Sequence, residues 1–149
     1  MQTPPSAPWR IGCGGISCEL VTFTTGAAIA AAVILGGLAA FQLALALGAP
    51  YGRFAWGGRY VVLPAPLRVG SLVTMVVYAL CAVILLDRAG VIDVFGNDQL
   101  VGLASWVLVG LFAVGTLMNL ASRSPDERRV MTPVALALCL LSLVVALGA

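Results

Sequence analysis

The sequence has no histidine and no lysine, and charged residues make up only 9% of it. Without histidine, the chain lacks the commonest metal ligand and the usual general base of enzymes. Eight arginines set against six carboxylates give a net charge of +2. That is too little charge for nucleic-acid binding, which needs a clustered basic surface. We therefore expect no metal, no cofactor and no nucleic-acid partner.

Apolar residues dominate what is present. They make up 61% of the 149 residues, and the mean hydropathy is +1.07. An average soluble domain has roughly a quarter of its residues charged, so a soluble core cannot absorb this excess. We interpret the chain as an integral membrane protein of the cell inner (plasma) membrane, with the lipid bilayer as its main surroundings. The lack of lysine beside abundant alanine, glycine and arginine suggests a bacterial origin.

Four apolar runs are each long enough to cross a hydrocarbon layer of about 30 Å. The predicted spans are about 22–48, 66–88, 98–121 and 125–147. Pro66 suits a first helical position, and Asn97 or Asp98 suits the N-cap of the third span. We expect residues 1–20 to form an irregular tail and residues 21–149 to form an all-α domain. Its predicted architecture is a four-helix up-and-down bundle with short loops.

Polar side chains are rare inside the predicted spans. Gln42 is the one strongly polar group of the first span, so its amide must find a partner or reach the interface. In the second span, four small or polar side chains recur at helical spacing and share one face, which we expect to look into the bundle. They are Ser71, Thr74, Tyr78 and Cys81.

The N-terminal cysteine pair, Cys13 and Cys18, lies in a glycine-rich segment. Its spacing matches neither a redox CxxC pair nor a zinc knuckle. The thiols are free, paired or acylated, and the sequence leaves these alternatives open. No metal site is predicted.

A ridge of small residues is predicted along the first span, where one recurs at every fourth position. The ridge consists of Ala28, Ala32, Gly36, Ala40 and Ala44. Such a ridge lets another helix approach closely in a membrane, so it predicts packing against a second copy or another membrane protein. The alternative is that the ridge reflects only the abundance of alanine.

The arginines are distributed unevenly between the two sides that four spans define. Arg10 and Arg88 belong to the side of the termini, whereas the first and third loops and the helix ends beside them carry the other six of the eight arginines. Positive charge is retained in the cytoplasm. We therefore expect the first and third loops to be cytoplasmic and both termini to be outside.

These two loops also contain the polar residues that could form a binding site. The candidates are Arg53, Arg59, Asn119, Ser122, Arg123, Ser124, Glu127 and Arg128. Arginines bind phosphate or carboxylate groups, and a helix N-terminus adds amide donors, so the pattern predicts a site for an anionic headgroup or a partner. The competing interpretation is structural, because Ser124 and Glu127 alone are a capping box at a helix start.

Two patterns give the chain a resemblance to known sequences. Residues 48–58 read Gly-Ala-Pro-x-Gly-x-x-Ala-Trp-Gly-Gly, and residues 119–128 read Asn-x-x-Ser-x-Ser-x-x-Glu-Arg. In both, the chain resembles a family of small four-span bacterial membrane proteins, over about residue 21 to the end. The resemblance implies the four-span fold and brings no activity, cofactor or catalytic residue with it.

Three functions are compatible with these features. The first is a structural or accessory subunit that packs against itself or another membrane protein, and we favour it because the chain is small, has no predicted soluble domain and has no charge that we expect to be buried. The second is a small oligomeric transporter or channel, although proton-coupled carriers need an ionisable group in the membrane. The third is a membrane enzyme acting on lipids, for which no catalytic residue is predicted.

Overall fold

The computed structural model describes residues 15–148, which form four α-helices, two short 3₁₀ turns and no strand. The helices are α1 (Gly15–Ala46), α2 (Ala65–Arg88), α3 (Asp98–Leu120) and α4 (Pro125–Gly148). All four are long and apolar enough to cross a membrane. The prediction of an all-helical fold with four helices is therefore confirmed for residues 15–148.

The first helix begins earlier than the predicted span. Residues 15–20, expected in the irregular tail, form the first turns of α1. This stretch contains no proline, and adding residues to an existing helix is much easier than starting one. Cys13 lies outside the described residues, and for Cys18 the backbone alone is described, so the alternatives for this pair stay open.

The four helices pack as a closed bundle. Helix α1 lies against α2 and α4, and α3 lies against α4 and α2. The core between them includes Ala28, Ala31 and Leu35 of α1 with Leu85 of α2 and Leu138 of α4. Because the α1 side chains at positions 28 and 31 are methyl groups, the neighbouring helices approach α1 closely.

Loop 1, residues 47–64, folds onto one end of the bundle. Leu63 and Ala55 of the loop are buried in a small cluster with Leu45 at the end of α1. The amide of Gly52 donates to the carbonyl of Val61 at 3.0 Å, and Nε of Arg68 donates to the carbonyl of Leu63 at 2.8 Å. Apolar burial and main-chain hydrogen bonds together give loop 1 a defined conformation.

Loop 2, residues 89–97, lies at the opposite end. The side chain of Asn97 accepts a hydrogen bond from the amide of Leu100 at 3.0 Å, so the predicted N-cap of α3 is confirmed at this residue. The carboxylate of Asp87 accepts hydrogen bonds from the amides of Val94 and Phe95, at 2.6 and 3.0 Å. These contacts satisfy main-chain donors that would otherwise need water.

Candidate functional site

Loop 1 meets loop 3, residues 121–124, at one end of the bundle. The hydroxyl of Ser124 donates a hydrogen bond to the carbonyl of Arg53 at 2.8 Å. Gly58 has a φ of +67°, and a Cβ placed on it would lie 2.5 Å from the Cβ of Ser124. A side chain at position 58 would therefore separate the two loops, and glycine also tolerates the positive φ.

The start of α4 contains half of the predicted capping box. The amide of Glu127 donates to Oγ of Ser124 at 3.3 Å, as an N-cap requires. The carboxylate of Glu127 does not return directly to the Ser124 amide. Instead, that amide donates to Oγ of Ser122 at 3.2 Å, and the Ser122 hydroxyl donates to Oε2 of Glu127 at 2.5 Å. The Ser122 hydroxyl therefore links the Ser124 amide to the Glu127 carboxylate, and the glutamate side chain stays inside the bundle.

Two amides at the start of α4 that an anion could have used are already bonded. The amide of Glu127 donates to Oγ of Ser124, and the amide of Ser124 donates to Oγ of Ser122. The expected contribution of the helix N-terminus to an anion site is reduced accordingly. The arginines remain as the basic groups of this end.

Asn119 joins the end of α3 to α4. Its Nδ2 donates to the carbonyl of Met131 at 3.4 Å. This hydrogen bond crosses from the end of α3 to the neighbouring helix. The amide group of Asn119 is thereby held at the wall of the bundle interior.

Trp56 extends from loop 1 onto α2 and keeps 43% of its surface exposed. Its φ is +54°, which is unusual for a residue with a side chain and costs of order 1–3 kcal/mol. The indole lies over Gly70, where a Cβ would be 2.8 Å from the ring, and Nε1 donates to Oγ of Ser71 at 3.3 Å. These contacts hold Trp56 in its strained backbone conformation, and the indole forms a roof over the space between the helices.

A cavity of about 320 Å³ lies beneath this roof. Its aromatic lining consists of Phe41, Phe54, Trp56, Tyr78 and Phe112. Its polar lining consists of Gln42, Thr74, Tyr78, Asn119 and Glu127. We call this space the inner cavity. Its polar groups come from all four helices, so only the folded bundle creates it.

Two of these polar groups are almost fully buried. Gln42 and Glu127 each expose 8% of their surface. The amide of Gln42 is within hydrogen-bonding reach of the Tyr78 hydroxyl, but its Oε1 has no hydrogen-bond partner among residues 15–148. A buried carbonyl oxygen without a partner is destabilising by roughly 1–3 kcal/mol.

An outer depression of about 890 Å³ adjoins the inner cavity. Trp56, Asn119 and Glu127 line both spaces. The depression adds Arg59, Ser122 and Arg123, and both arginines are exposed. The inner cavity therefore adjoins the basic outer depression at the end of the bundle, and Glu127 lies where the two spaces meet.

The structure brings together some of the predicted site residues and not others. Those that line the outer depression are Arg59, Asn119, Ser122, Arg123 and Glu127. Ser124 acts as the loop contact and helix cap. Arg53 and Arg128 are exposed outside the depression, and the guanidinium of Arg53 lies 4.6 Å from the ring centroid of Phe54.

The predicted small-residue ridge of α1 winds from the interior to the outside. Ala28 is buried, Ala32 and Ala44 are half-buried, and Gly36 and Ala40 are exposed. Four-residue steps exceed the helical repeat of about 3.6 residues, so the ridge advances around the helix by about 40° per step. Within the described chain, a Cβ on Gly36 would meet nothing within 4 Å.

The aromatic wall of the inner cavity was not anticipated from the sequence. Gln42 and the face containing Tyr78 were signals, because isolated polar groups in apolar spans need partners. Neither signal identifies Phe41 or Phe112, since an aromatic residue in an apolar run is indistinguishable from an ordinary core residue.

No group of three or more potential metal ligands occurs among residues 15–148. Comparisons with family models, curated proteins and solved structures find no match to this chain. The resemblance to a four-span family therefore stays a prediction.

Proposed function

We propose that the chain is a multi-pass protein of the bacterial plasma membrane that serves as a structural or accessory subunit. It packs against a second copy or another membrane protein through the exposed part of the α1 ridge. The four long apolar helices support membrane insertion. The absence of a soluble domain in the described part supports a role performed inside the bilayer.

The observation that carries this proposal is the open glycine surface of α1. Gly36 and Gly37 are adjacent and exposed, and a Cβ on either would meet nothing within 4 Å in the described chain. Ala40 continues this surface by about one helical turn. Small residues let helix backbones approach closely in lipid, where dispersion and weak hydrogen bonds drive association.

A leucine at position 36 tests this proposal. In Gly36→Leu the added side chain separates the helices, so we expect self-association in lipid vesicles, or co-purification of a membrane partner, to fall at least tenfold. Gly110→Leu is the matched control, because Gly110 is an exposed α3 glycine that is equally open. Association that is the same for Gly36→Leu and the unmodified chain, in detergent and in lipid, would contradict the proposal.

The proposed orientation puts loops 1 and 3 in the cytoplasm and both termini outside. It is supported by Arg53, Arg59 and Arg123, which are exposed at the end where these loops meet. Exposed arginines at that end can bind anionic phosphates of the cytoplasmic leaflet.

A small oligomeric transporter or channel is the second candidate. The inner cavity favours it, because Gln42 and Glu127 place polar atoms between helices that are otherwise apolar. Buried polar groups at membrane depth commonly mark the path of a substrate or ion.

A further inference from the structure

We infer that the inner cavity binds a small apolar cation, a molecule with an ammonium group attached to an aromatic ring or short alkyl chain. The ammonium group lies beside Glu127, and the apolar part lies among the aromatic rings. This site is separate from the packing surface of α1 and does not depend on the proposed accessory function.

The first support is the buried carboxylate. Glu127 exposes 8% of its surface and lines the inner cavity, and the Ser122 hydroxyl is the side-chain donor to it among residues 15–148. Glu127 also borders the outer depression, and on the cavity side a cation or further donors reduce the cost of burying its charge. A bound cation in the cavity supplies that compensation.

The second support is the aromatic wall. Five aromatic side chains line a cavity of about 320 Å³: Phe41, Phe54, Trp56, Tyr78 and Phe112. The faces of aromatic rings attract cations, by roughly 2 kcal/mol or more when the pair is removed from water, and quaternary ammonium ligands are recognised in this way. The same rings cover the apolar part of the ligand.

The third support is a buried acceptor without a partner. Oε1 of Gln42 in the cavity lining has no hydrogen-bond partner in the described chain. A ligand with N–H or polarised C–H donors complements this oxygen, whereas an anionic ligand brings a second acceptor toward it.

The arginines at this end of the bundle are not part of the proposed cation site. Arg59 and Arg123 are exposed and line the outer depression but not the inner cavity. There, lipid phosphate and salt screen their charge. The cavity volume lies at the lower end of the range of ligand pockets, about 300–1,000 Å³, so the ligand is small.

Binding of three related probes tests this inference on the full chain in nanodiscs of zwitterionic lipid. The probes are benzyltrimethylammonium, benzyl alcohol and phenylacetate, measured by calorimetry against empty nanodiscs. We expect the cation to bind at least tenfold more tightly than the neutral and anionic probes. Equal affinity for all three, tighter binding of phenylacetate, or no binding of the cation would overturn the inference.

Two variants locate the site. Glu127→Gln keeps an oxygen that can accept from Ser122, and we expect it to weaken cation binding at least tenfold while benzyl alcohol binding changes less than twofold. Asp126→Asn is the matched control, since Asp126 is the adjacent acid and does not line the cavity. Unchanged cation affinity in a folded Glu127→Gln protein would contradict the assignment.

If Glu127→Gln does not fold, Phe54→Leu gives an independent test. Phe54 is a half-buried loop residue of the aromatic wall. Leucine preserves an apolar lining but removes the ring, so cation binding should weaken by threefold or more, and by more than the binding of benzyl alcohol, which loses only apolar contact. Equal weakening of both probes would count against recognition of the positive charge.

Discussion

At the residue scale, the Ser122 hydroxyl determines which group the Glu127 carboxylate contacts. A complete capping box would direct the glutamate to the amide of its N-cap residue. Here the Ser122 hydroxyl stands between that amide and the carboxylate, so Glu127 caps its helix indirectly and lines the inner cavity. The sequence pattern predicted the cap, but the link through Ser122 depends on side-chain positions that spacing alone does not specify.

The contact between loops 1 and 3 depends on the lack of a side chain at position 58. Gly58→Ala would place a methyl group 2.5 Å from the Cβ of Ser124 at a φ of +67°. We expect the variant to lower the free energy of unfolding by about 2–3 kcal/mol, through backbone strain and steric overlap. Thermal unfolding in detergent measures this loss.

Gly57→Ala is the control for that experiment. Gly57 also has a positive φ, +75°, but a Cβ there would meet nothing within 4 Å of the described residues. Its destabilisation should reflect backbone strain alone, about 1 kcal/mol. Equal destabilisation by the two substitutions would show that the approach of Gly58 to Ser124 is unimportant.

At the element scale, the ends of the helices follow local chemistry. The sequence places Pro125 after Ser124 and Asn97 before an apolar run, and α4 and α3 start at those points. A proline at the first position and an asparagine N-cap act through their own backbone and side-chain groups, so no tertiary information is needed.

The N-cap of α3 gives a prediction at this scale. Asn97→Ala removes the acceptor for the Leu100 amide and should destabilise the protein by about 1 kcal/mol. The loss should appear as a lower thermal midpoint in detergent. Asp93→Ala, in the same loop and outside the helix, should leave the midpoint unchanged; a comparable drop in both variants would argue against a capping effect.

Loop 1 shows where local chemistry is insufficient. Its glycines and prolines predict a compact, turn-rich segment, and the structure has two 3₁₀ turns there. The contact of the Trp56 indole with α2, however, requires a positive φ at Trp56, the absence of a side chain at Gly70 and the hydroxyl of Ser71. These partners lie on another element, so the local sequence of loop 1 does not predict that Trp56 covers the inner cavity.

At the scale of the whole molecule, the two ends of the bundle differ. The end formed by loops 1 and 3 combines the outer depression, its exposed Arg59 and Arg123, and access toward the buried Glu127. The residues of that end could be named from the sequence because short loops between four spans alternate sides. Which of those residues line the outer depression and which lie outside it could not be predicted, because that depends on how loop 1 folds over α4.

The central claim is a membrane-spanning bundle with loops 1 and 3 on the cytoplasmic side. In a cysteine-free background, Arg59→Cys, Arg123→Cys and Asp93→Cys are labelled in intact cells with a membrane-impermeant maleimide. We predict labelling of position 93 in intact cells, and labelling of positions 59 and 123 only after the membrane is opened. Labelling of positions 59 and 123 from opposite sides would contradict both the topology and the site.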